Sequence, residues 1–190
     1  EIKPIKSIGD KAGDKYKRLN SDKSSEMEGT SDEKRVVTVD MGQMHVAKGP
    51  AQLTAILGSC VGIALFDPAA KVGGLAHIMM PNNPGDGAEY SKYADTAVPA
   101  MLEEMQKLGA VKQNVRAKIV GGANVMFHDE NSKFTNIAAR NIESTKDALA
   151  AAKIRIEMEE TGGNIGRKAL VDLDNFKVYV RYLGNSFGKK

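Results

Sequence analysis

The sequence contains little cysteine and few aromatic residues, and these scarcities exclude several kinds of protein. One cysteine among 190 residues cannot form an internal disulfide, so we expect a reducing, cytoplasmic environment. Tryptophan is absent, aromatic residues make up only 5%, and 27 basic side chains are interspersed with 24 acidic ones, a pattern unlike that of nucleic-acid-binding proteins. No apolar run approaches the roughly 20 residues of a transmembrane helix, so we expect no membrane insertion.

Composition divides the chain into two regions. Residues 1–35 are dominated by Lys, Asp, Ser, Glu and Gly and show no hydrophobic period, which predicts a flexible charged tail. Residues 36–190 contain regular apolar patterns and are long enough to form one domain with a core of its own. We therefore predict a tail followed by a single domain.

The apolar patterns within 36–190 predict an α+β layered domain, with packed β-strands flanked by two main helices. The helices are expected over residues 92–108, with Ser91 as the N-cap, and over residues 137–152. Short apolar or alternating runs predict strands at residues 36–39, 44–47, 53–57, 61–66, 75–79, 115–120, 154–159, 169–173 and 176–182.

The lone cysteine, Cys60, follows two small residues, Gly58 and Ser59, and a histidine, His77, lies seventeen positions later in a second apolar run. A cysteine nucleophile needs a base within hydrogen-bond reach and donors for an oxyanion, and backbone N–H groups in a tight turn supply such donors. The residues therefore allow two interpretations of Cys60, a nucleophile with His77 as its base or a buried core cysteine.

Several further motifs occur in a fixed order along the chain. They are Leu57-Gly58-Ser59-Cys60-Val61, Phe66-Asp67-Pro68, Gly73-Gly74-Leu75-Ala76-His77, Lys92-Tyr93-Ala94-Asp95-Thr96-Ala97, Val120-Gly121-Gly122-Ala123, Asn136-Ile137 with Arg140-Asn141, and Glu160-Thr161-Gly162-Gly163-Asn164 with Gly166-Arg167. This ordered set resembles the CheD family of chemoreceptor glutamine deamidases, and it covers roughly residues 38–183.

The resemblance implies a hydrolase that converts glutamine side chains of methyl-accepting chemotaxis receptors to glutamate and releases ammonia, without a cofactor. It implies a triad with Cys60 as nucleophile, His77 as general base and Thr54 as the hydroxyl that orients the histidine. Its glycine turns imply oxyanion and substrate contacts close to the thiol. These contacts are assigned to Gly58, Ser59, Gly162, Gly163 and Asn164. As partners it implies the cytoplasmic helices of the receptors and a CheC-type phosphatase.

Other kinds of site receive less support from the residues. His45 and His128 have no partner at metal-ligand spacing, so no metal site is predicted. A cysteine peroxidase would place a threonine closer to the thiol than Thr54, and there is no second cysteine to resolve a sulfenic acid. The remaining alternative is a non-catalytic chemotaxis module that binds a receptor or a CheC-type phosphatase, with Cys60 merely packed.

Overall fold

The computed structural model describes residues 35–85, 89–125 and 136–184. Residues 1–34, which make up nearly all of the predicted tail, lie outside the described residues, and so does His128. No helix within the described ranges combines the length and the apolar character needed to cross a membrane.

The described residues form nine strands, two α-helices and two short 3₁₀ helices. The strands are β1 (Arg35–Thr38), β2 (Met44–Lys48), β3 (Ala51–Leu57), β4 (Val61–Asp67), β5 (Val72–Ile78), β6 (Arg116–Gly121), β7 (Arg155–Thr161), β8 (Arg167–Asp172) and β9 (Lys177–Tyr182). The helices are α1 (Ala94–Lys107) and α2 (Ile137–Ala151), and the 3₁₀ helices are Tyr90–Lys92 and Lys112–Asn114. Every predicted strand and helix is present, with ends that differ by a few residues.

The strands form two sheets. A four-stranded sheet has the order β1-β3-β8-β9, and a five-stranded sheet has the order β2-β5-β4-β6-β7. Strands β8 and β9 pair antiparallel as the predicted hairpin. Strands β4 and β5 also pair antiparallel, and their ladder runs from Val61 opposite Ile78 to Asp67 opposite Val72. This ladder holds the segments that carry Cys60 and His77 side by side.

Two hydrophobic clusters separate three layers. One cluster lies between the sheets and joins residues such as Leu53 and Val171 of the four-stranded sheet to Ala64 and Leu75 of the five-stranded sheet. The other lies between the five-stranded sheet and the helices and includes Ile63. Strand β4 has all seven residues buried because it contributes to both clusters. The α+β layered fold predicted from the sequence is thus confirmed.

The start of α1 differs from the prediction. Ser91 was expected to cap the helix, but its hydroxyl donates to the Gly42 carbonyl instead. The helix begins at Ala94, and Tyr93 occupies the N-cap position without a side-chain cap bond. A contact between residues distant in sequence takes the hydroxyl that a local pattern assigned to the helix.

Candidate active site

Cys60 lies in the short turn between β3 and β4, and the carbonyl groups of that turn are held from the segment after β6. The Gly58 carbonyl accepts from the Ala123 N–H at 2.8 Å, and the Cys60 carbonyl accepts from the Gly122 N–H at 2.7 Å. Cys60 itself is 9% exposed and packs in the cluster between the sheets. These two hydrogen bonds therefore fix the turn to the segment that follows β6.

The amide N–H groups of this turn are differently placed. The Ser59 carbonyl accepts a hydrogen bond from the Asn141 side chain at 3.1 Å. Within the described ranges, no acceptor on another residue is bonded to the N–H of Ser59 or Cys60. A turn that uses its carbonyl groups for support and commits neither N–H group to another described residue can stabilise an anion beside the thiol.

A glycine at the end of β6 allows the close approach between that strand and the turn. Gly121 has a φ of +109°, and a side chain there would overlap the Cys60 carbonyl oxygen. A non-glycine residue would therefore be strained by its backbone conformation and would also displace the turn of residues 58–60, here called the nucleophile turn after the role proposed for Cys60.

His77 lies near the end of β5 and is 3% exposed. It stands opposite Gly62 in the ladder, so Cys60, two residues before Gly62, is its diagonal neighbour. Leu75, two residues before His77, packs in the same cluster between the sheets as Cys60, so both candidate residues face the interior between the sheets. Diagonal neighbours lie about 7–8 Å apart at Cα, which a thiol and an imidazole can bridge.

The hydrogen bonds of the imidazole assign its tautomer. The Nδ1 atom of His77 lies 3.1 Å from the carbonyl oxygen of Val39, which can only accept, so Nδ1 carries the proton in the neutral ring. The Nε2 atom is buried and has no hydrogen-bond partner among the described residues. This leaves Nε2 with a free lone pair on a ring of fixed orientation, as a general base requires.

Burial shifts both titratable groups towards their neutral forms. It raises the pKa of the Cys60 thiol, an effect that a hydrogen bond with its own backbone N–H partly offsets. Burial likewise lowers the pKa of the His77 imidazole, opposed by the Val39 carbonyl and by the charge of Asp40. The two shifts favour a resting pair of neutral thiol and neutral imidazole.

Thr54 is connected to His77 by way of Val39. The Val39 N–H donates to the Thr54 carbonyl at 2.8 Å, and the Val39 carbonyl holds His77. The Thr54 hydroxyl donates to the Ala169 carbonyl at 2.9 Å. Its neighbours Leu53 and Ala55 face the interior between the sheets, so strand alternation places the Thr54 side chain on the opposite face of β3. An orienting role for the Thr54 hydroxyl stays a prediction.

The second glycine turn is linked to the nucleophile turn through the segment after β6. The Gly162 N–H donates to the Gly121 carbonyl at 3.0 Å, and the Gly163 carbonyl accepts from the Asn124 N–H at 2.7 Å. Gly163 and Asn164 are exposed. Solvent-accessible backbone thus lies two hydrogen-bonded steps from Cys60, and its predicted contact with substrate remains a prediction.

Three residues with a part in this arrangement were not assigned to the site from the sequence. Arg167, 3% exposed, donates to the carbonyls of Gly121, Glu160 and Gly162 and so ties the glycine turns together. Asn141 reaches the nucleophile turn from α2. Both lie within the motifs that carry the family resemblance, which was the available signal. Val39 acts through its carbonyl, and a carbonyl leaves no sequence signal.

No three His, Cys, Asp or Glu side chains come together as a metal site within residues 35–85, 89–125 and 136–184. His45, on β2, is half-buried, and burial together with the charge of Arg35 lowers the pKa of its imidazole.

The sequence also matches known proteins. A family model described as CheD chemotactic sensory transduction matches residues 79–182. A Methanococcus vannielii protein named "Probable chemoreceptor glutamine deamidase CheD" is 42% identical over 147 residues, covering 77% of this chain and 94% of that protein. The Thermotoga maritima "Chemoreceptor glutamine deamidase CheD" is also 42% identical over 147 residues, covering 77% of this chain and 91% of that protein. The order of motifs, the matched model and these relatives together show that the chain belongs to the CheD family.

Proposed function

We propose that this chain is a protein-glutamine deamidase that converts specific glutamine side chains of chemoreceptors to glutamate. The two relatives above, whose names include chemoreceptor glutamine deamidase, are each 42% identical to this chain over the aligned residues. The observation that supports the activity most directly is the geometry of His77. Val39 anchors the imidazole at Nδ1, while Nε2, beside the Cys60 segment, has no hydrogen-bond partner in the part of the chain that the structure describes.

The first half of the reaction forms a thioester. The Cys60 sulfur attacks the side-chain carbonyl carbon of glutamine while His77 Nε2 takes the thiol proton. Negative charge moves to the carboxamide oxygen, where the N–H groups of Ser59 and Cys60 stabilise it. The carbon–nitrogen bond then breaks as the imidazolium returns its proton to the nitrogen, so ammonia leaves and the imidazole is neutral again.

The second half hydrolyses the thioester. His77 Nε2 removes a proton from water as the water oxygen attacks the thioester carbon. The carbon–sulfur bond breaks, and the imidazolium returns its proton to the Cys60 sulfur. The product is a glutamate side chain, and the enzyme regains its neutral thiol and neutral imidazole, the same forms that burial favours in the resting site.

Thr54 takes an orienting role in this proposal. Its carbonyl supports the Val39 peptide, and the Val39 carbonyl fixes the ring. The direct hydroxyl contact implied by the family resemblance would require the Thr54 side chain to leave the Ala169 carbonyl. Gly162, Gly163 and Asn164 are proposed to contact the substrate backbone because their turn is exposed and tied to the nucleophile turn.

The proposed substrate sets the location and the partners. Receptor glutamines available for this chemistry lie on cytoplasmic helices, so we place the enzyme in the cytoplasm, where its single thiol stays reduced. The family resemblance further suggests a CheC-type phosphatase as a second partner, competing with receptor for the same surface. No cofactor is required by the steps above.

One observation favours the second candidate, a non-catalytic module that binds receptor or a CheC-type phosphatase. Cys60 is 9% exposed and burial raises its pKa, as would be true of a cysteine that only packs. Ammonia release separates the candidates. Wild-type protein incubated with a receptor cytoplasmic fragment should release ammonia, and Cys60→Ala should bind the fragment equally well but release none. Binding without ammonia from the wild type would support the module.

A further inference from the structure

Asn141 connects the two segments that carry the proposed nucleophile and base. It lies on α2 and is 0% exposed, and both side-chain hydrogen bonds that it makes with described residues come from its amide nitrogen. That nitrogen donates to the Ser59 carbonyl at 3.1 Å and to the Met79 carbonyl at 3.0 Å. Ser59 precedes Cys60, and Met79 follows His77 by two residues.

The contact with Ser59 orients the peptide plane that contains the Cys60 N–H, a proposed oxyanion donor. The carbonyl of Ser59 and the N–H of Cys60 are parts of the same peptide unit, and in a trans peptide they point in opposite directions. Fixing the carbonyl on Asn141 therefore fixes the direction of the Cys60 N–H, which is one of the two proposed oxyanion donors. Hydrogen bonding at the carbonyl also polarises the unit and strengthens its N–H as a donor.

The contact with Met79 continues the ladder beyond its last regular pair. Strands β4 and β5 stop pairing at Val61 and Ile78, and the next position would set Cys60 opposite Met79. There the Asn141 amide bridges the two segments in place of a direct backbone hydrogen bond. An NH₂ group has two hydrogens, and one is donated to each segment. One planar group thus sets the separation between the nucleophile turn and the end of β5.

We propose that Asn141 is a positioning residue of the deamidase site, which holds the Cys60 N–H towards the oxyanion and keeps the Cys60 turn in register with His77. The inference rests on the proposed function. It predicts a specific kinetic effect, because a misdirected N–H donor stabilises the transition state for attack on a carboxamide less well, while the thiol itself is kept.

The test compares Asn141→Leu and Asn141→Ala, which remove both donors, with Asn141→Gln, which keeps them on a longer side chain. Thr145→Val is the matched control, because Thr145 lies one turn further along α2, is 0% exposed, and its hydroxyl has no partner among the described residues. Four quantities are measured for each variant: kcat and KM with a receptor cytoplasmic fragment, the rate of Cys60 alkylation by iodoacetamide above pH 9, and the melting temperature.

Loss of an oxyanion donor lowers kcat by about 10²–10³-fold. For Asn141→Leu and Asn141→Ala we expect a loss of kcat near the lower end of that range, with KM changed little. Asn141→Gln should lose less of its kcat. Alkylation of the thiolate develops no oxyanion, so its rate should stay near that of the wild type. Thr145→Val should match the wild type throughout.

The inference is overturned if folded Asn141→Leu or Asn141→Ala keeps wild-type kcat, or if alkylation and kcat fall together. It is also overturned if both variants are unfolded at the assay temperature, because Asn141 would then serve the fold. A wild-type protein that releases no ammonia would instead contradict the proposed function, so the two failures are distinguishable.

Discussion

The backbone carbonyl of Val39 accepts a hydrogen bond from Nδ1 of His77 at 3.1 Å, and this contact determines which nitrogen of the ring is free to act. In many catalytic triads a carboxylate holds this position, and it also stabilises the imidazolium that forms. A carbonyl fixes the tautomer without adding a full charge. In the proposed mechanism, catalysis therefore depends on the orientation of the ring and on the proposed oxyanion donors more than on a permanent ion pair.

Replacing His77 by asparagine tests the division of labour between its two nitrogens. The asparagine NH₂ group can still donate to the Val39 carbonyl, but nothing replaces Nε2. We expect kcat for deamidation to fall by about 10²–10⁴-fold with little change in melting temperature. His45→Asn, on β2, is the control and should keep full activity. Comparable losses in both variants would show that His77 is not the base.

The pKa shifts predict a particular dependence on pH. In the proposed mechanism neutral His77 is the active form. Because burial lowers its pKa, kcat/KM should persist below pH about 6.5 and fall only as the pH drops through that lowered pKa. Unfolded chains bind this proton at higher pH than folded ones, so stability should also decrease as the pH falls below about 6.5. An acid limb centred above pH 6.5 would contradict the assignment.

The thiol should respond in the opposite direction. Burial raises the pKa of Cys60, so iodoacetamide should modify it with a midpoint above that of a small cysteine peptide titrated in parallel. The measurement is unambiguous because the chain has one cysteine. A midpoint clearly below the peptide's would mean a resting thiolate–imidazolium pair, in place of the neutral pair described above.

Gly121→Ala should damage the site through the contact of its new methyl group with the Cys60 carbonyl. Gly49→Ala is a matched control, since Gly49 also has a positive φ, +83°, but a side chain there would meet nothing within 4 Å. The control should cost about 1–2 kcal/mol of stability with activity kept. Gly121→Ala should lower the melting temperature further and reduce kcat. Equal losses of melting temperature and kcat in the two variants would contradict the proposed steric contact with the Cys60 carbonyl.

Thr54→Val isolates the hydroxyl from the shape of the side chain. The valine keeps the backbone carbonyl that supports Val39, so we expect a smaller loss of kcat than in His77→Asn, at most about 10²-fold from impaired alignment. Steady-state ammonia release measures kcat for both variants. A valine variant less active than the histidine variant would mean that Thr54, rather than Val39, holds the imidazole during turnover.

Much of the fold could be predicted because its signals are local. Alternation marks β7, whose residues are alternately exposed and partly buried, and helical spacing marks α1, whose apolar residues from Ala94 to Met105 are buried on one face. The prediction of Ser91 as the helix cap was wrong because its hydroxyl donates to the carbonyl of Gly42, forty-nine positions away. Sequence patterns do not show which distant group competes for a hydroxyl.

The site was less accessible to sequence reasoning. Cys60 and His77 differ from their surroundings in residue type, and the ladder between β4 and β5 places their segments side by side. Val39 contributes only a carbonyl, and Asn141 acts from a helix on the far side of the five-stranded sheet. Such roles depend on the register of strands and on which side chains reach across layers, which no spacing along the chain encodes.

The most direct measurement is tandem mass spectrometry of a receptor cytoplasmic fragment after incubation with wild-type protein and, separately, with Cys60→Ser. The serine variant keeps the shape of the site but supplies a far less acidic nucleophile. We predict conversion of specific glutamines to glutamate by the wild type and almost none by the serine variant. Equal conversion by both proteins, or by neither, would contradict the account of Cys60 as the nucleophile of a glutamine deamidase.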